Sequence, residues 1–207
     1  MGTDGAAAWD ARYAATPLVW SAEPNRWVEE VFSGLPVGAA LDLGAGEGRH
    51  AIWLARRGWR VTAVDYSGEA VRKAAAIQEQ YAPETRNRII WVHADAVAEP
   101  PAPRSVDAVL LMYLHLPAGQ RRALLRAGAE ALRPSGTLLL VGHDRCNLTE
   151  GTGGPREPAV LFTADDLLED LDGLTGLEVR RAERVERTIP GTDDVALDTL
   201  LLIVREA

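Results

Sequence analysis

Short apolar runs alternate along the chain with longer segments in which apolar residues recur every three or four positions. Runs of this length are typical of buried strands, and the longer spacing is that of amphipathic helices. The strand candidates are residues 39–43, 60–64, 89–93, 106–112, 136–142, 177–188 and 196–205, and the helix candidates are 49–57, 68–80, 118–132 and 163–171. This alternation predicts an α/β fold, in which a mostly parallel sheet carries helices on both faces.

The last two strand candidates follow a different pattern. Only residues 189–195 separate them, and this connection contains the turn signal Pro190-Gly191. A connection this short joins antiparallel neighbours, because parallel strands need a longer crossover. We therefore expect an antiparallel hairpin at the carboxyl-terminal edge of the sheet.

A length of 207 residues fits one domain. Within it we expect an amino-terminal helical cap at 1–36, a central core at 37–142, and a final helix and hairpin at 161–207. The intervening residues 143–160 are rich in Gly, Pro, Thr and Asn and directly follow a strand. They are long enough to form either a mobile lid or a disordered connection, and we favour the lid.

Composition and charge narrow the classes of partner. A formal net charge of −8 repels a phosphate backbone, so Arg121, Arg122 and Arg126 are expected to form a solvated helix face rather than a nucleic-acid site. No apolar run approaches the roughly 20 residues that cross a bilayer, and the first twenty residues do not resemble a signal segment. The single cysteine, Cys146, suits a reducing compartment. We expect a cytoplasmic protein, a monomer or homodimer, without nucleic-acid or membrane partners.

A glycine-rich turn follows the first strand candidate. Residues 41–48 read Leu-Asp-Leu-Gly-Ala-Gly-Glu-Gly, and glycines at alternate positions let the backbone approach a ligand closely. A dinucleotide-binding turn needs a third glycine three residues after the second, where this chain has Arg49. Asp42, at the end of the strand, would repel a diphosphate but suits a ligand that carries ammonium and sulfonium charges.

Two further acids end the next two strand candidates. Asp65 lies 19 residues after Gly46, a spacing that suits a carboxylate accepting hydrogen bonds from two ribose hydroxyls. Asp95 and Ala96 follow the third strand and could offer a carboxylate to an adenine amino group and an amide to a ring nitrogen. Open α/β sheets bind ligands at the carboxyl ends of their strands, where all these acids are expected.

The order and spacing of these motifs resemble those of class I S-adenosylmethionine-dependent methyltransferases. The resemblance extends over about residues 39–141 and includes Asp107-Ala-Val-Leu-Leu-Met112 and Leu132-Arg-Pro-Ser-Gly-Thr137. It implies a Rossmann-like sheet of seven strands with the last one antiparallel. It also implies S-adenosylmethionine as the cofactor, with 37–142 as the cofactor-binding core.

The resemblance assigns roles to individual residues. The glycine turn would pass the methionine part of the cofactor, Tyr66 would stack on the adenine or lie at its edge, and Met112 would lie near the methionine. The segment 9–13 and Trp20 look like the start of small-molecule methyltransferases of the tellurite-resistance and thiopurine type, in which Arg12 would suit a carboxylate of the cofactor's methionine or of the acceptor. The residues expected to contact the cofactor are Arg12, Trp20, Asp42, Gly44, Ala45, Gly46, Asp65, Tyr66, Asp95, Ala96 and Met112.

Histidines are the candidates for the acceptor side. A base helps when the acceptor is a hydroxyl or a protonated amine, and histidine suits that role at neutral pH. His115, after the fourth strand, is the first choice as base or acceptor contact, and its structural alternative is capping the loop before Pro117. His143, after the fifth strand, is the second choice, with a loop anchor as its alternative. No ligand spacing indicates a metal, and none is expected.

We therefore expect a methyltransferase that acts on a small-molecule acceptor. One alternative is a nicotinamide-dependent oxidoreductase, against which Arg49 and the terminal hairpin argue. The others are a methyltransferase that acts on protein or nucleic acid, and a binding protein that keeps the pocket without the chemistry. The acidic charge weighs against a nucleic-acid substrate. The sequence does not identify the acceptor atom.

Overall fold

A single sheet of seven strands forms the centre of the described chain. The computed structural model describes residues 5–16, 23–189 and 191–207. The strands are β1 (Ala39–Leu43), β2 (Arg60–Asp65), β3 (Ile89–His93), β4 (Val106–Met112), β5 (Leu132–His143), β6 (Leu177–Thr188) and β7 (Val195–Arg205). Their order is β3-β2-β1-β4-β5-β7-β6, in which β7 pairs antiparallel with both β5 and β6 and the other neighbouring strands pair parallel. The predicted fold class and the antiparallel hairpin are confirmed.

Helices cover both faces of the sheet. They are α1 (Ala6–Ala15), α2 (Arg26–Phe32), α3 (Arg49–Arg56), α4 (Gly68–Tyr81), α5 (Ala118–Ala131), α6 (Asn147–Glu150) and α7 (Ala164–Leu171). The central strand β4 is apolar at every position except Asp107. Leu110 packs into one core with α2 and α3, whereas Val109 and Leu111 pack into the opposite core with α5 and α7. Successive side chains point to opposite faces, and both faces are buried.

The chain order creates a crevice beside β1. From β1 the chain proceeds outwards to β2 and β3, and then returns to place β4 on the other side of β1. Loops after β1 and β4 therefore leave the sheet in opposite directions, and the gap between them is where open α/β sheets bind ligands.

The start of β5 differs from the prediction. The strand begins at Leu132 rather than at 136, because Val106 pairs with Leu132 and Ala108 pairs with Thr137. The extra residues form an irregularity at which Ser135 has a φ of 64°. Such a bulge accommodates Pro134, which cannot donate a ladder hydrogen bond.

Residues 144–158 pack against the first residues of β7. The side-chain oxygen of Asn147 accepts a hydrogen bond from the Leu197 amide at 2.7 Å, and its side-chain nitrogen donates to the Gly153 carbonyl at 2.9 Å. The amide of Thr152 donates to the Val195 carbonyl at 2.9 Å. The segment is thus anchored to the hairpin, and its role as a lid stays a prediction.

The predicted solvated arginine face is wrong for Arg121. This side chain is only 7% exposed, and its Nε donates to Asp170 at 2.6 Å across the contact between α5 and α7. Arg122, whose side chain is 57% exposed, fits the prediction better. The difference arises because α7 packs onto α5, a contact between elements distant in sequence. Among the helices described, none is long and apolar enough to span a membrane.

Candidate active site

The glycine turn after β1 has a left-handed backbone. Gly44, Gly46 and Gly48 have φ values of 75°, 56° and 80°, which favour glycine because they crowd a Cβ. At Gly48 a Cβ would also lie 2.2 Å from the ring of Trp91. The amides of Gly44 and Ala45 donate to the Val64 carbonyl at 2.8 and 3.0 Å. These bonds hold the turn against the carboxyl end of β2.

Asp65 is tied to the same turn. One of its oxygens accepts the Gly46 amide at 2.7 Å, and the other accepts the Ser67 amide at 2.9 Å. Burial raises the pKa of Asp65, although these two hydrogen bonds oppose the shift. A carboxylate has about four acceptor positions, so both oxygens retain capacity for ligand hydroxyls. The ribose role of Asp65 stays a prediction that this geometry permits.

Asp42 is the unusual carboxylate of the site. Its side chain is 0% exposed, and neither oxygen meets hydrogen-bond geometry with another described residue, although the Ala51 amide and Arg49 lie near enough to favour its charged form. Burial and the nearby Asp65 raise its pKa to about 7, while Arg49 and the Ala51 amide oppose the shift. An unpartnered buried carboxylate costs free energy. A positively charged ligand group is the kind of partner that would offset this cost.

The other residues expected to contact the cofactor follow β2, β3 and β4. Tyr66 is half-buried directly after β2, and Asp95 accepts the Val97 amide at 2.9 Å in the turn after β3. Ala96 packs against the core, and Met112 is the buried last residue of β4. Parallel pairing of the strands brings these positions to one edge of the sheet. Their individual cofactor contacts stay predictions.

Helix α1 is fastened to α4 beside the glycine turn. The Asp10 carboxylate accepts the Ser67 hydroxyl at 2.6 Å at the start of α4. Lys73 donates to the Tyr13 carbonyl at 2.9 Å and forms an ion pair with Glu47 of the glycine turn at 2.7 Å. The predicted amino-terminal cap therefore contacts the predicted cofactor site.

Two predicted contacts of the cap have different outcomes. Arg12 is on the exposed side of α1, where its guanidinium lies 5.0 Å from the ring centroid of Trp9. Its contact with a carboxylate stays a prediction. Trp20 lies outside the described residues. Trp27, by contrast, is buried in the core.

His115 and His143 meet at the carboxyl ends of β4 and β5. Their rings stack with centroids 5.3 Å apart and planes 10° apart. The His143 amide donates to Nε2 of His115 at 3.2 Å. Burial and the neighbouring His143 lower the pKa of His115 to about 3, so His115 is neutral at physiological pH. The structure brings the two predicted histidines together, and their catalytic roles stay predictions.

A buried polar cluster next to these histidines was missed by the sequence interpretation. Asp198 is 0% exposed and accepts the Tyr113 hydroxyl at 2.6 Å and Nε of Arg187 at 2.8 Å. Its other carboxylate oxygen lies 3.1 Å from Nδ1 of His143. Burial acts to raise the pKa of Asp198, but the contacts with these three groups outweigh it and lower the pKa.

The missed residues left some signal in the sequence. Asp198 is the only charged residue in the apolar run 195–204. A charged residue within a buried strand normally has a partner, so this position indicates a buried polar contact. Tyr113 directly follows β4 and adopts a φ of 56°, which is strained for an aromatic residue and often marks a functional position. Asn25 donates to the Tyr113 hydroxyl at 3.1 Å from the segment before α2. No sequence pattern connected these residues to one another.

Comparison with known proteins agrees with this architecture. Residues 40–136 match the model of a family described as a methyltransferase domain. A ubiquinone biosynthesis O-methyltransferase from Xanthomonas campestris pv. campestris (strain B100) is 37% identical over 108 residues, which are 51% of this chain and 43% of that protein. Over these residues the chain is similar to a methyltransferase domain. It spans about half the length of the curated relatives that it matches.

Solved structures share this fold over nearly the whole chain. The N-methyltransferase NodS from Bradyrhizobium japonicum WM9, in complex with S-adenosylhomocysteine, has a TM-score of 0.72 at 18% identity and covers 99% of this chain and 100% of its own. The 1,6-didemethyltoxoflavin-N1-methyltransferase of Burkholderia thailandensis has a TM-score of 0.68 at 21% identity, with coverages of 98% and 87%. At these identities the likeness concerns the fold.

Proposed function

We propose that this protein is an S-adenosylmethionine-dependent methyltransferase that transfers a methyl group to a small molecule by in-line displacement. The observation that carries the proposal is the fully buried carboxylate of Asp42 beside the left-handed glycine turn, neither oxygen of which meets hydrogen-bond geometry. S-adenosylmethionine carries an ammonium and a sulfonium, so it offers positive charge to this acid in addition to that of Arg49. When bound, it supplies an activated methyl group.

The residues around the turn fit the cofactor in chain order. Asp42 faces the ammonium, and the backbone of Gly44, Ala45 and Gly46 passes the methionine. Asp65 holds the ribose hydroxyls with the acceptor capacity that its two amide contacts leave. The site does not favour the alternative of a nicotinamide-dependent oxidoreductase. A buried acid without a hydrogen bond next to the turn would repel the diphosphate of a nicotinamide cofactor.

The remaining contacts complete the proposed cofactor site. Tyr66, Asp95 and Ala96 border the adenine, and Met112 lies near the methionine. Arg12 and Trp20 contribute from the amino-terminal cap, which is fastened to α4 by Asp10 and Lys73.

The acceptor is a small molecule that enters beside β4 and β5. His115 and His143 border its site, because their stacked rings lie at the carboxyl ends of those two strands. Support comes from a relative named for ubiquinone biosynthesis and from a structural neighbour bound to 1,6-didemethyltoxoflavin, each of which is named for a small acceptor or pathway. The net charge of −8 and the single cysteine favour a cytoplasmic location without nucleic-acid partners.

Calorimetric titration with S-adenosylhomocysteine tests the proposal. The wild-type protein is expected to bind, and Asp65→Ala is expected to lose about tenfold or more in affinity, because charge-assisted hydrogen bonds to the ribose disappear. Asp193→Ala, an exposed aspartate in the hairpin turn, is the matched control and should bind like wild type. Absence of binding by the wild type at high micromolar ligand contradicts the function. Equal affinity of Asp65→Ala contradicts the ribose role alone.

A further inference from the structure

We propose that Asp198 orients His143 so that Nε2 of His143 takes the proton that a protic acceptor loses on methylation. Asp198 is a positioning residue in this scheme, and His143 is the base. The acceptor class is then a hydroxyl, thiol or N–H compound rather than one that has no proton to lose. This inference rests on the proposed function.

The sheet register places Asp198 and His143 opposite each other. They are directly paired residues of the antiparallel strands β7 and β5. Side chains of such a pair point to the same face and lie close together. Nδ1 of His143 consequently lies 3.1 Å from Oδ1 of Asp198. A carboxylate at Nδ1 favours the tautomer with the proton on that nitrogen, which leaves the lone pair on Nε2.

The carboxylate of Asp198 is itself fixed. Its Oδ2 accepts both the Tyr113 hydroxyl and Nε of Arg187, so rotation about the side chain would break two hydrogen bonds. The guanidinium of Arg187 also balances the buried negative charge. Asp198 therefore keeps its Oδ1 within 3.1 Å of Nδ1 of His143, a close contact that does not meet hydrogen-bond geometry in this structure.

The side chain of His143 is 10% exposed. The ring stacks on His115, and the exposed Gly154 lies along its edge. A Cβ at Gly154 would lie 2.5 Å from Cδ2 and 2.8 Å from Nε2 of His143, so a side chain there would cover this edge. Among the residues that the structure describes, no group hydrogen-bonds to Nε2. An acceptor can therefore meet it.

His115 is less suited to the same task. Its Nε2 already accepts the His143 amide, and its pKa is lowered to about 3 by burial. A group with so low a pKa is a weak base at neutral pH. The titratable groups in contact with His143 are Asp198 from β7, and Tyr113 and His115 from the segment after β4. Arg187 from β6 joins this cluster through Asp198 and Tyr113.

In the proposed step a proton passes from the acceptor to His143 and a methyl group passes to the acceptor. The acceptor's X–H bond breaks and its proton passes to Nε2 of His143, while the electron pair on X forms the bond to the methyl carbon. The carbon–sulfur bond breaks, and its electrons convert the sulfonium into a neutral thioether. His143 later releases the proton to solvent, so no further reactant is needed.

Nitrogen-15 NMR of the histidines tests the positioning role in protein saturated with S-adenosylhomocysteine. We expect neutral His143 to carry its proton on Nδ1, and Asp198→Asn to shift the population toward the Nε2–H tautomer. Asp193→Asn is the matched control and should leave the tautomer unchanged. A wild-type His143 protonated on Nε2 overturns the inference, and this spectrum decides the matter even if Asp198→Asn does not fold.

Methyl transfer to catechol tests the role of the base. His143→Gln is expected to lower kcat by about 10²-fold. Its affinity for S-adenosylhomocysteine should stay within about twofold of wild type. Glu186→Gln, an exposed residue of β6, is the control with unchanged kcat. A His143→Gln protein with wild-type kcat overturns the inference. Failure of the wild type to bind S-adenosylhomocysteine overturns the proposed function instead.

Discussion

The buried carboxylate of Asp42 in the proposed binding site lowers the stability of the folded protein at neutral pH. Its pKa is raised to about 7 by burial, well above that of an aspartate in the unfolded chain. The folded state therefore binds a proton that the unfolded state releases. The contribution of Asp42 to the free energy of unfolding is most favourable at low pH and is lost as pH rises toward 7. The proposed cofactor restores this loss by bringing a cation.

Affinity for S-adenosylhomocysteine should consequently depend on pH. A ligand ammonium favours the ionised carboxylate, so we expect affinity to rise about tenfold between pH 6 and pH 8 as Asp42 deprotonates. Asp42→Asn should bind weakly with a flatter pH dependence, and it should unfold at a higher temperature than wild type at pH 8 without ligand. Calorimetry and thermal unfolding measure these changes. A wild-type affinity that falls over this range would refute the role of Asp42.

At the scale of elements, the pair Arg121 and Asp170 joins α5 to α7. Asp170 is 1% exposed and receives Nε of both Arg121 and Arg122. Arg126 adds a hydrogen bond from its guanidinium to the Asp170 carbonyl at 3.1 Å. Removing one partner of such a buried pair leaves the other charge uncompensated, which costs more than an exposed pair ever contributes.

Asp170→Asn should therefore destabilise the protein by about 3 kcal/mol, because it leaves the guanidinium of Arg121 buried without its counter-charge. Asp172→Asn changes an exposed carboxylate just after α7 and should cost less than about 0.5 kcal/mol. Urea unfolding of the two variants makes the comparison. Equal stability of both would mean that Arg121 reaches water when its partner is lost.

On the scale of the whole molecule, the amino-terminal helix is linked to the glycine turn through one cation. Lys73 of α4 donates to the carbonyls of Tyr13 and Thr16 at the end of α1 and pairs with Glu47 in the turn. The position of α1 and the conformation of the proposed cofactor site are therefore coupled, because Lys73 contacts both.

Lys73→Met should make α1 less stably folded and should also weaken the binding of S-adenosylhomocysteine. We expect faster amide hydrogen exchange in α1 and an affinity several-fold lower, because Lys73 caps the carbonyls at the end of the helix. Arg72→Met, on the exposed neighbouring position of α4, is the control. Unchanged exchange in α1 would show that the Asp10 contact alone holds the helix.

Much of the fold could be predicted because its determinants are local. β1, β3, β4 and β6 match their predicted bounds, and the remaining strands were located with errors only at their ends. The largest error, at the start of β5, arose where a register irregularity around Ser135 depends on pairing with β4. Turn chemistry likewise placed the hairpin, since short connections permit few geometries.

By itself the sequence determined the succession of strands and helices, the glycine turn, and the acids at the strand ends. Hydrophobic period and turn residues act over a few positions, so one sequence suffices to show them. Only the tertiary structure decided that Arg121 is buried and that Asp198 meets His143, Tyr113 and Arg187. Those residues are joined by the order of non-consecutive strands in the sheet, and that order depends on packing across the whole chain.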